Sequence, residues 1–148
     1  MNQRKETEQI RNTAREFLMH HKKMILTVLD KEKHPNSSLL LYAVKDFTIY
    51  FGTRRSFGKY AALKSEPNVA VAVVQEGIDP LQVLDIQGIA EEIPQNETEE
   101  TLQWFVGQNS SEFYIKDADD LVMFKINPEC IRWLDALSGD LQICDIAI

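Results

Sequence analysis

Apolar positions along the chain fall into two alternating rhythms. Ile10, Ala14, Phe17 and Leu18 recur at intervals of three and four between Arg, Glu, Gln and Asn, which predicts an amphipathic helix ending near His20-His21. Met24 to Leu29 is then a short run of β-formers, followed by a polar turn, Asp30 to Asn36, in which Pro35 limits pairing. Ser37 to Val44 reads as a second strand. Phe47 to Thr53 reads as a third, with Phe47, Ile49 and Phe51 alternating against Thr48, Tyr50 and Gly52. The tight Lys45-Asp46 turn between these two strands predicts an antiparallel hairpin.

The longer period returns after Arg55. Ser56 is the expected N-cap of a short helix carrying Tyr60, Ala61, Leu63 and Lys64, which Pro67 ends. Val69 to Gln75 is strongly strand-like, Gly77 to Pro80 turns the chain, and Leu81 to Glu92 is a longer strand in which Gly88 marks a bend or bulge. An acidic start at Asn96 to Glu100 opens a helix through Leu102, Phe105 and Val106, with a stop at Gly107. Gln108 to Asp120 reads as a polar loop. Leu121 to Ile126 and Cys130 to Leu134 are the last strands, separated by Asn127-Pro128, and the apolar tail Leu141 to Ile148 should dock rather than dangle. Consecutive hairpins with short helices between them predict a mainly β (α+β) fold: an antiparallel barrel of six or seven strands with flanking helices, in one domain over residues 1–148.

A chain of 148 residues can bury roughly 70% of its unfolded surface, so this core needs no disulfide or structural metal. The net charge of −7 disfavours nucleic acid and anionic membranes as partners. It favours a protein that holds any anionic ligand in a local basic pocket. No apolar run approaches the roughly 20 residues of a membrane span, and the N-terminus lacks an apolar leader, so a cytoplasmic location is expected. Cys130 and Cys144 do not form a CxxC pair and read as small apolar filler or free thiols.

The informative stretch is Tyr50 to Lys59, YFGTRRSFGK, which runs off a strand into a helix N-terminus. A helix start offers unpaired N–H groups and a positive dipole end, both suited to phosphate. Thr53 and Ser56 can donate hydrogen bonds. Arg54, Arg55 and Lys59 can supply charge, and Gly52 and Gly58 allow close backbone approach. On chemistry alone the same residues could be a helix cap with a solvated basic face. Neither a Walker loop nor a GxGxxG turn is present.

Ile49-Tyr50-Phe51-Gly52-Thr53, then Ser56, Lys59 and Leu63, then Glu66-Pro67-Asn68-Val69, together resemble the FMN-binding split β-barrels related to pyridoxamine 5′-phosphate oxidase, of the general-stress-protein type. The resemblance covers roughly residues 10 to 135. It implies a homodimer with flavin mononucleotide (FMN) at the subunit interface and a small-molecule substrate. By position it makes Thr53 and Lys59 phosphate ligands, with Gly52, Arg54, Arg55 and Ser56 beside them. Ser37, Ser38, Leu39 and Leu40 would form the edge along which the isoalloxazine lies, and Gln75 a further polar contact. An aromatic residue of the other subunit often borders the ring in this family; Trp104 or Trp133 could serve, although each also reads as core.

The resemblance departs in two places. Ser37 stands where many members carry Arg, and the tail Leu134 to Ile148 lacks the Arg- and His-bearing segment that holds pyridoxal phosphate in the true oxidases. It therefore implies an FMN-dependent oxidoreductase of unspecified substrate, not that oxidase. A non-enzymatic flavin carrier or sensor is the alternative, as is a barrel holding haem or a deazaflavin. His20, His21 and His34 read as surface histidines, and His20 or His21 could ligate haem only if the helix end reached the pocket. No Ser/His/Asp or Cys/His arrangement is legible, and the catalytic residues stay unassigned.

Overall fold

A computed structural model describes residues 2–77, 81–109, 119–136 and 139–148, with side chains from residue 7 onward. Three helices and eight strands follow in the order α1 (Asn2–His20), β1 (Lys23–Leu29), β2 (Pro35–Leu41), β3 (Ala43–Lys45), β4 (Thr48–Arg54), α2 (Gly58–Ser65), β5 (Asn68–Val74), β6 (Gln82–Glu92), α3 (Gln95–Asn109), β7 (Leu121–Asp135) and β8 (Gln142–Ile146). All strand pairs are antiparallel. The path is β2-β1-β5-β6-β7-β4-β3, with β8 pairing the C-terminal half of β7. The sheet curls into the expected split β-barrel.

Eight strands replace the six or seven expected, for three reasons. The segment 37–44 breaks at Tyr42, which is buried, donates its hydroxyl to the Leu18 carbonyl at 2.6 Å and its N–H to the Lys22 carbonyl at 2.9 Å. That anchor lets the chain leave one edge of the sheet as β2 and enter the other as β3. Second, the stretches on either side of Asn127-Pro128 are one strand. Gln87 pairs with Cys130 but Gly88 with Pro128, so Glu129 is the extra residue of a bulge. A bulge accommodates Pro128, which has no N–H to give a regular ladder. Third, the tail adds β8. Pro35, expected to limit pairing, instead opens β2 opposite Leu29 on the sheet edge, where its missing donor costs no ladder bond. The third helix passes Gly107 and ends at Asn109. The expected turn at 77–80 and loop at 108–120 fall in part outside the described residues.

Two apolar clusters result. The larger fills the barrel with Leu26, Ile49, Phe51, Val71, Ile86, Phe124 and their neighbours, and α1 covers it through Ala14, Phe17 and Leu18. Ala62 and Leu63 of α2 close it from the side of β1 and β4. The smaller lies outside the barrel, where Leu102 and Phe105 of α3 cover Leu121 and Met123 of β7. Trp133 is barrel core, edge-on to Phe17 at 5.0 Å, while Trp104 packs on Tyr50 beside the smaller cluster. Cys130 and Cys144 are free, and Cys130 is exposed, so it does not serve as apolar filler.

Candidate functional site

Strands β2 and β4 lie towards opposite ends of the sheet path and are not hydrogen-bonded to each other. Strands β3 and β4 pair only from Lys45↔Thr48 to Ala43↔Tyr50. Beyond Tyr50 the free edge of β4 has no described strand, and β2 is bonded only to β1. Extending the same register would set Leu40 opposite Thr53 and Leu39 opposite Arg54. The two groups of residues expected to meet a cofactor thus fall on two strand edges that no described strand joins, a β4 lip and a β2 lip.

On the β4 lip, Thr53 lies on the barrel-facing side of the strand, in step with Ile49 and Phe51. It is 4% exposed, and its Oγ1 has no hydrogen-bond partner among the described residues. A buried hydroxyl left unpaired costs about 1–3 kcal/mol, and natural cores seldom tolerate one without a use. Gly52 is buried beside it. Lys59, in the first turn of α2, is half-buried and has no ion-pair partner among the described residues. Burial holds its amine below the usual lysine range.

Ser56 is not the helix cap. Phe57 occupies that position with extended backbone and no side-chain cap, so the first N–H groups of α2 receive no side-chain acceptor there. Ser56 instead donates to Asp120 Oδ2 at 2.6 Å, and the Arg55 N–H donates to the Asp120 carbonyl at 3.0 Å, tying the turn to the start of β7. The Arg55 guanidinium reaches Gln95 at 3.1 Å. Arg54 lies 5.9 Å from the Phe57 ring centre. Sequence reasoning missed Asp120: it stands as one acid among several in a polar stretch, with nothing local to mark a contact 64 residues away.

On the β2 lip, Ser37 is exposed and shares a hydrogen bond with Thr27 at 2.8 Å. Ser38 and Leu40 are half-buried, while Leu39 is 64% exposed. Leu39 and Gln75 both line a groove of about 730 Å³ that also takes in His20 to Lys23. The site residues therefore gather as one cluster at the β4–α2 turn and a second along β2 and the end of β5. His34 lies apart in the β1–β2 turn, where its ligand atom and those of Asp30 and Glu32 lie within 4.8 Å of one another. Those side chains are organised by turn hydrogen bonds, Asp30 Oδ1 accepting from the N–H groups of Glu32 and His34 at 2.9 Å.

A family model described as pyridoxamine 5′-phosphate oxidase matches residues 10–134. No curated protein matches the sequence. Among solved structures, general stress protein 26 from Bacillus anthracis superposes with a TM-score of 0.69 at 19% identity, over 92% of this chain and 98% of that one. A heme binding protein from Mycobacterium smegmatis gives 0.76 at 17%, over 91% of this chain and 57% of that one. An FAD-binding protein from Mesorhizobium loti gives 0.65 at 19%, over 78% and 85%. At these identities the likeness is one of fold.

Proposed function

The chain belongs to the pyridoxamine 5′-phosphate oxidase family, and from that premise we propose that it binds FMN in the cleft between β2 and β4 and acts as an FMN-dependent oxidoreductase. The observation that carries this reading is Thr53 Oγ1, a buried donor with no partner among the described residues, followed along the same turn by the half-buried Lys59 and an α2 start with no side-chain cap. A phosphate dianion meets all three needs. It accepts from the hydroxyl, pairs with the ammonium and complements the dipole of α2. Arg54 and Arg55 add positive potential, while Ser56 works indirectly, by holding the turn against Asp120.

Bound flavin would supply the electron chemistry. The chain's own work is binding and orientation: the backbone of Ser38 to Leu40 would run beside the ring, and the Gln75 amide would meet its polar rim. Ser37, hydrogen-bonded to Thr27, brings no charge to the cofactor. A homodimer is the expected assembly. No helix among the described residues is long and apolar enough to cross a membrane.

The test is a titration of the purified protein with FMN. Wild type should bind, and Lys59→Ala should lose about 1.5–3 kcal/mol of affinity, the worth of a charged hydrogen bond. Equal affinity of the two proteins would remove Lys59 from the site. The visible spectrum as purified separates flavin from deazaflavin and haem. Turnover with a nicotinamide donor separates an enzyme from a carrier.

A further inference from the structure

Where α1 hands over to β1, four basic or titratable side chains follow one another, His20, His21, Lys22 and Lys23, and all line the 730 Å³ groove. Against them the groove has one carboxylate, Glu76. In a chain of net charge −7 this is a local reversal of sign. Its floor is apolar, from Ile25, Leu39 and Val74. A site of several hundred Å³ with an apolar body and a few convergent polar groups is the usual form of a small-molecule pocket.

The two imidazoles are fixed in one tautomer. His20 Nδ1 lies 2.7 Å from the Glu16 carbonyl and His21 Nδ1 lies 2.7 Å from the Phe17 carbonyl. A carbonyl oxygen only accepts, so each Nδ1 carries the hydrogen and each Nε2 stays available to a ligand. His21 is further held by the Phe17 ring at 4.0 Å. Lys22 donates to the Gln108 carbonyl at 2.9 Å, whereas Lys23 has no partner among the described residues. These groups suit an anion: Lys23 supplies permanent charge, and either histidine can donate from Nε2 when protonated.

We propose that this groove seats the substrate, and that the substrate is a small molecule with a carboxylate or phosphate group and an apolar body. The anion would rest on Lys23 and the histidines, and the body on Ile25 and Val74. Leu39 and Gln75 bring the body beside the flavin. The inference rests on the flavin reading, because Leu39 and Gln75 serve both.

The test titrates the FMN-loaded protein with phenyl phosphate, benzoate and benzyl alcohol, read by calorimetry and by the flavin difference spectrum. At least one anion should bind ten-fold or more tightly than the neutral alcohol, and the tighter of the two tells phosphate from carboxylate. Lys23→Gln and His20→Gln, both at exposed positions, should each weaken that anion five-fold or more while FMN affinity stays within two-fold of wild type. Equal binding of benzyl alcohol, or an anion affinity unmoved in both variants, would overturn the proposal. FMN uptake without any bound probe would overturn it alone. A protein that takes up no FMN yet binds the anion with the same sensitivity to Lys23 and His20 would overturn the flavin reading and leave the anion groove standing.

Discussion

Phe124 and Thr53 sit near each other on paired strands, yet their surroundings differ in kind. Around Phe124 the sheet is fully used. Strand β7 is paired on both sides, to β6 and β4, and Leu121 to Phe124 are buried on both faces. Phe51 stacks on Phe124 at 5.5 Å and Tyr60 meets it edge-on at 6.1 Å. Around Thr53 the same sheet is left unfinished among the described residues: a β4 edge with no strand beside it past Tyr50, and a buried hydroxyl and a half-buried lysine with no partner. The first region spends its sequence on stability and the second withholds it. That is the pattern expected where a fold keeps a site for a ligand.

The largest test of this contrast is Phe124→Ala. Removing a buried, stacked ring should cost about 3–5 kcal/mol, measured by denaturant unfolding. Leu39→Ala on the open lip should stay within about 0.5 kcal/mol. Similar losses from the two variants would erase the difference between wall and lip. Gly88→Ala comes next. A Cβ at Gly88 would stand 2.9 Å from Ile126 Cγ2 and press on the Asn127 carbonyl, a backbone atom that cannot swing away. The cost should be about 1–3 kcal/mol, as for overpacking elsewhere, with FMN affinity of the folded fraction unchanged. A loss of flavin binding without a loss of stability would mean that the bulge shapes the site after all.

The wall was the easier part to read from sequence. Alternation at Phe47, Ile49 and Phe51 and the β-branched run at 69–74 fix their strands, because burial imposes the period directly. Gly88 was legible as a bulge, but the extra residue is Glu129 on the partner strand. Nothing local reveals it, since the register is set between chains of residues far apart in sequence. The break at Tyr42 escaped for the same reason: its anchors are backbone carbonyls of α1 and the turn after it. At the lip, the residue chemistry offered Thr53 and Lys59 only among other hydroxyls and cations, and it was the family resemblance that implied these two. The residue chemistry misassigned the cap to Ser56, because capping propensity is local while Asp120 competes for that hydroxyl from across the fold. The groove of His20 to Lys23 had no signature, as it forms only when α1, β1, β2 and β5 converge.

Thr53→Val sharpens the comparison where the effect is smaller. The side chains are nearly isosteric, so the change removes one unpaired polar atom and leaves the packing. The apo protein should gain about 1 kcal/mol and FMN should bind more weakly. The two signs together are the prediction. A variant that lost stability would mean that the hydroxyl already has a partner, and the cleft would lose its unsatisfied donor.

The smallest effect concerns Lys59 and pH. Burial lowers the pKa of its amine from the ordinary value of 10.5. Between the lowered value and 10.5 the unfolded chain holds a proton that the native chain has released. The stability of the apo protein should therefore rise with pH through that window, and below it the cost of the desolvated charge is present in full. Lys59→Met keeps the apolar stem and removes the charge. It should flatten this rise and lift the apo Tm at neutral pH by about 2 °C or less, since the group is only half-buried and solvent screens it. Saturating FMN should reverse the order, because only wild type gains the phosphate contact, and ligand that binds the native state alone stabilises it by mass action. If Lys59→Met lowers the apo Tm, the lysine already has a favourable partner in the empty cleft. If FMN lifts both proteins equally, the phosphate lies elsewhere.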